Sequence, residues 1–307
     1  LSFYAEHYEV LGSWQLESGI KLPILGDPVI RVCRFCGKRP PEVTFRKIAH
    51  AIPQSLGNDS LFSAYECDDC NEKFGKGIEN DFGKWSMPMR TFARISGKKG
   101  IPTLKNESAG WRIEYEDEKN GFMVNHREGD PVFSVNEKEK TITIQVEREP
   151  YTPIAVLKAF VKMGLSVMPE VEMPNFSEAV EWIGQAEHQD SFISELSVIY
   201  TIAPGSLPSD KITLLMLRRR PEYIGVPYAY FVLIYGNEMF QVMLPSRERD
   251  QALDSKLLSL NPFPHPTVRF GAPRFRLLDL TGRDIVRGEA VALTMAFSDR
   301  VAVDPKK

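Results

Sequence analysis

All four cysteines of this 307-residue chain fall in two C-x-x-C pairs, Cys33/Cys36 and Cys67/Cys70. That spacing suits metal ligation better than a disulfide framework. A chain of this size has little use for two bridges in so short a stretch, and no charged-then-apolar signal segment opens it. Each pair can form a tight knuckle that offers two thiolates, and two knuckles complete a tetrahedral zinc site. With four sulfurs the site is closed, so the expected zinc holds two distant segments together and performs no chemistry itself.

The residues between and after the knuckles fit a small unit. Val43 to Ile48 alternates as a short strand ending near His50, and a turn through Pro53, Gly57 and Asn58 leads to a second strand around Leu61 to Glu66. From Asn71 to Trp85 the apolar residues Phe74, Ile78 and Phe82 recur at helical spacing. The order knuckle, strand, loop, strand, knuckle, helix describes a ββα unit pinned at its base.

At roughly 150 residues per domain the length fits two domains. The expected division is an N-terminal arm (1–30), the zinc-stapled ββα module (31–105) and an α+β region (106–307). Strands are expected at Trp111–Tyr115, Phe122–Asn125, Val132–Val135 and Thr141–Val146, with a helix from Pro153 to Pro169 and another over Phe176–Ala186. Four more strands follow between Leu196 and Leu244, then loops and short edge strands. The fold class is therefore α+β: a zinc-stapled ββα-metal module followed by a β-rich α+β region.

A net charge of −3 excludes a uniformly basic coat, but charge is unevenly spread. Between Arg31 and Lys105 stand fourteen Lys/Arg against eight Asp/Glu, a local positive field of the kind a phosphate backbone requires. No apolar run reaches the ~18 residues that span a bilayer. The expected location is the cytoplasm, with no membrane partner.

Two stretches carry a family resemblance: Ala49-His50-Ala51-Ile52-Pro53-Gln54-Ser55-Leu56-Gly57-Asn58, and Glu66-Cys67-Asp68-Asp69-Cys70-Asn71-Glu72-Lys73-Phe74-Gly75. Set between zinc knuckles, they resemble the HNH endonucleases, the ββα-metal nucleases. The resemblance covers about Cys33 to Trp85. It implies that His50 is the general base, that Asn71 is a ligand of a catalytic Mg²⁺ or Mn²⁺, and that Asn58 orients the base. It also implies a phosphodiester substrate, DNA before RNA; the candidates for phosphate contact are Arg46, Lys47, Lys73, Lys76 and Lys84. Proteins with such modules serve in restriction, homing and anti-phage defence, sometimes fused to a sensor. A homodimer and a small-molecule activator acting through 106–307 are therefore among the expected partners.

Each residue also has a plainer reading. Asn58 after Gly57 suits any tight turn, and Asn71 could simply cap a helix. Glu79 reads as a solvated helix residue. One departure bears on catalysis: many family members carry Asp or Glu before the catalytic His, and here Ala49 stands there. An amide alone is a poor ligand for a hard cation. A carboxylate from Asp59, Glu72 or Glu79 could substitute, or substrate phosphate and water could fill the shell. The rival reading is a zinc-dependent nucleic-acid-binding protein that does not cut.

Overall fold

The computed structural model describes residues 2–127, 132–188, 197–253, 260–267 and 269–301. A short helix, α1 (Ser2–His7), runs into a strand, β1 (Tyr8–Glu17), so much of the expected arm is regular structure. The expected hairpin is present but shorter: β2 (Ala49–His50) pairs antiparallel with β3 (Phe62–Ser63), and Leu25 bridges Ser63 from the far side. Residues 44–47 do not form the expected strand, because their backbone wraps a helix end instead. The Asp68 carboxylate accepts hydrogen bonds from the Arg46 and Lys47 amides, and the Asp68 amide donates to the Thr44 carbonyl.

The expected single helix is two, α2 (Asp68–Lys76) and α3 (Ile78–Phe92), broken at Gly77. Asp68 and Asp69 in the first turn of α2 and Lys73 and Lys76 in its last complement the helix dipole. Two hairpin units follow: β4 (Leu104–Asn106), β5 (Trp111–Glu116) and β6 (Gly121–Asn125), then β7 (Phe133–Asn136) and β8 (Thr141–Glu147). They share a small core of Leu104, Trp111, Ile113, Ile144 and Val146.

The next element organises the rest. α4 (Pro153–Val167) starts with Pro at its first position, where no amide is needed, and every one of its residues is buried. A helix that is apolar all round must be enclosed on all sides. One side meets a six-stranded sheet of β1, β9 (Ser197–Ile202), β10 (Lys211–Arg219), β11 (Ala229–Tyr235), β12 (Glu238–Leu244) and β13 (Arg274–Asp279), reached past α5 (Ser177–Gly184). Its order is β1-β10-β11-β12-β9-β13, all antiparallel. The last strand, β14 (Ala290–Ala296), instead joins β8. At Gly164 the helix presses on the sheet so closely that a Cβ would lie 2.7 Å from the Leu244 side chain.

The other side of α4 meets α3. Phe160 packs between Trp85 of α3 and Phe240 of β12, with ring centroids 5.9 and 4.8 Å away. One apolar core accordingly runs from Ile52, Leu56, Leu61 and Phe82 through α4 to Phe231 and Phe240. No helix among the described residues is long and apolar enough to cross a membrane.

Candidate active site and metal centre

The four cysteine sulfurs all lie within 4.8 Å of one another, with Cys36 and Cys67 3.8 Å apart. Sulfurs at the corners of a tetrahedron ~2.3 Å from a zinc ion would be ~3.8 Å apart, so the set fits such an ion. The knuckle geometry is local. The Gly37 amide donates to the Cys33 carbonyl, Gly37 takes a left-handed φ of 70°, and the Asn71 amide donates to the Cys67 carbonyl. Crowding of the thiols splits their affinities for protons. The hydrogen bond with Cys70 holds the Cys33 thiol below its ordinary value, while burial pushes Cys67 above it. These four cysteines could hold a structural metal such as zinc.

Next to this cluster His50, Pro53, Gln54, Ser55, Asn71, Gly75 and Glu79 line a cleft of about 260 Å³. Three elements supply the polar groups. His50 ends β2, where its ring packs on Phe62 at 4.9 Å. Asn71 sits in the first turn of α2, whose cap position belongs to Cys67, so Asn71 does not cap that helix. Glu79 lies in the first turn of α3 and follows Asn71 and Gly75 at four-residue spacing along the cleft wall. Of the three carboxylates weighed as substitutes at position 49, Glu79 alone lines the cleft. Glu72 pairs with Lys76 in solvent, and Asp59 sits on an exposed loop within reach of Ser18. Ala49 itself is buried.

Burial lowers the pKa of His50 below its ordinary 6.5; Lys162 and Lys98 push the same way, against Glu79 and Asp59. The imidazole is therefore neutral at pH 7, the state a proton acceptor needs.

Asn58 lies elsewhere. It is fully buried, and its amide is spent on the loop it belongs to. Nδ2 donates to the Ile52 and Leu61 carbonyls at 2.7 and 2.9 Å, and Oδ1 accepts from the Ser60 and Leu61 amides. Its link to His50 runs through the shape of that loop.

Of the basic residues, Arg46, Lys47 and Lys73 are exposed near the cleft-forming elements, and Lys76 is exposed in its pair with Glu72. Lys84 is half-buried and faces Asp81 at 3.7 Å.

Sequence reasoning missed a buried ion group behind the cleft. Lys162 of α4 places its Nζ 2.8 Å from Glu66 and 2.9 Å from Glu79, with the Phe35 and Phe74 rings each 5.7 Å away. Burial opposes its charge, but the two carboxylates outweigh that and raise its pKa above the ordinary value. The available signal was two lysines, Lys158 and Lys162, as the only charges in an otherwise apolar helix; a buried charge must be paired.

Neither the curated proteins nor the solved structures contain a match for the chain. Residues 33–86, which hold the four cysteines, His50, Asn71 and Glu79, match the model of the HNH endonuclease family.

Proposed function

We propose that this chain is a metal-dependent endonuclease that hydrolyses phosphodiester bonds in DNA, with His50 as the general base. The observation that carries this reading is the convergence of His50, Asn71 and Glu79 in one cleft beside the four-cysteine cluster. In this reading the cysteines hold a structural zinc that fixes the start of α2 against the first knuckle.

The neutral imidazole of His50 takes the proton from a water attacking phosphorus. The oxygens of Asn71 and Glu79 would hold a hard divalent cation, Mg²⁺ or Mn²⁺; Glu79 supplies the carboxylate that Ala49 does not. When bound, that cation supplies charge stabilisation at the phosphate and the departing oxygen. Arg46, Lys47 and Lys73 engage flanking phosphates and so position the backbone without reading sequence. Asn58 keeps the His50 loop in shape.

The second reading, a nucleic-acid-binding protein that does not cut, is favoured by the apolar residue at position 49. A plasmid-nicking assay with Mg²⁺ or Mn²⁺ separates the two. Cleavage by the wild type and none by His50→Ala, with equal zinc content, supports the nuclease. Binding without cleavage by both proteins supports the second reading. Equal cleavage by both removes His50 from the mechanism.

A further inference from the structure

The Lys162 ammonium is the meeting point of three parts of the chain. It comes from α4, outside the segment that matches the nuclease family. One of its carboxylates, Glu66, directly precedes a cysteine of the cluster and is 1 % exposed. The other, Glu79, lines the cleft with His50 and Asn71. The rings of Phe35 and Phe74, 5.0 Å apart and edge to face, close over the same ammonium. A lysine enclosed this way cannot reach solvent, so its contacts are fixed by packing.

We propose that Lys162 is a positioning residue of the active site: it holds Oε1 of Glu79 and thereby presents the other carboxylate oxygen to a divalent cation in the cleft. This rests on the assignment of Glu79 as the carboxylate of that cation site. It also gives residues beyond the nuclease segment a part in the chemistry, because α4 carries the lysine and the sheet carries α4. Two acidic side chains set this close repel each other, and without the ammonium nothing among the described residues would hold Glu79 in one orientation.

Simple electrostatics predicts the opposite sign. Deleting a positive charge beside a cation site should tighten cation binding; loss of a positioning group should weaken it. Groups that orient metal ligands typically contribute about ten- to a hundredfold in metal affinity.

The test is Mn²⁺ binding to the full-length, zinc-loaded protein without DNA, followed by the electron paramagnetic resonance signal of free Mn²⁺. Lys162→Met is expected to weaken Mn²⁺ binding about tenfold or more with zinc content unchanged. Should that variant fail to fold with two unpaired acids, Glu66→Gln/Lys162→Met removes one acid with the ammonium, and the same weakening is expected. Glu66→Gln alone should bind Mn²⁺ like the wild type. Glu79→Gln should weaken binding as Lys162→Met does, and Glu79→Gln/Lys162→Met should be no weaker than either. Unchanged or tighter binding in the Lys162 variants, with Glu79→Gln weakened, overturns the role of Lys162 alone. Unchanged binding in Glu79→Gln overturns the assignment of Glu79 and the proposal with it.

Discussion

Asp81 and Arg34 hold opposite ends of one helix. The Asp81 carboxylate accepts a hydrogen bond from the Thr152 amide at the start of α4, at 3.1 Å. The Arg34 guanidinium, stacked 3.8 Å over Tyr65, donates to the carbonyls of Leu165, Ser166 and Met168 at the other end. A negative group at the N-terminus and a positive one at the C-terminus both favour the helix dipole, and both come from the 33–86 segment. The segment therefore caps the helix that the sheet packs against.

That arrangement makes a stability prediction. Asp81→Ala should cost about 1 kcal/mol, the usual loss for a helix cap. Arg34→Met should cost about 3 kcal/mol, since it strips a charged donor from three carbonyls in a half-buried site. Because one core joins the segment to the sheet, urea unfolding followed by tryptophan fluorescence should shift as a whole. A new early transition confined to 33–86 would show that the caps are not coupled to the core.

Metal removal should act through the same contacts. With the four sulfurs unbound, the knuckle that carries Arg34 and the start of α2 lose their anchor. A chromogenic chelator under denaturing conditions should detect zinc from the wild type and none from Cys36→Ser. Chosen because Cys36 is exposed, that change disturbs packing least. The variant should also lose helical circular dichroism at lower temperature, as expected where metal binding contributes folding energy. A zinc-free protein with wild-type stability would remove the structural role.

Asn58 should behave as a stability residue and His50 as a rate residue. Asn58→Ala leaves two carbonyls and two amides without their partner around a fully buried side chain, at a cost of about 3 kcal/mol. Cleavage by Asn58→Ala should fall mainly because less protein is folded, and lowering the temperature should recover much of it. His50→Ala should unfold near the wild-type midpoint and not cut at any temperature. Full loss of cleavage by folded Asn58→Ala would instead give Asn58 a direct part in orienting the base.

How much of this was legible in the sequence depended on distance along the chain. The knuckles, His50 and Asn71 are set by local spacing, and the helix from Pro153 by its largely apolar run. The break at Gly77 was not legible, since Phe74, Ile78 and Phe82 keep helical spacing across it. Glu79 looked like one more solvated residue because the lysine it meets, Lys162, comes from a distant helix. Residues 43–48 alternate like a strand, but Asp68, far away in sequence, claims their amides. The Lys162 contacts were hidden for the same reason. An apolar helix announces burial but does not name the carboxylates that will meet the lysine it buries. The division of labour between β1 and the sheet was equally hidden, because an edge strand pairs with residues two hundred positions away only once the fold exists.

The pH dependence of cleavage tests the electrostatics of the cleft. Cleavage needs His50 neutral, and burial lowers its pKa below 6.5. The single-turnover rate at saturating Mg²⁺ should therefore level off toward pH 8 and fall about tenfold per unit below the shifted pKa. Lys98, exposed on the turn after α3, is one of the charges that lower it. Lys98→Gln removes a positive charge, so protonated His50 becomes easier to form and the acid limb should move to higher pH. Since Lys98 is solvated, the displacement between variant and wild type should shrink as salt is raised. A limb that moves to lower pH, or a displacement that salt does not change, would mean that the titrating group is not His50 under the influence of Lys98.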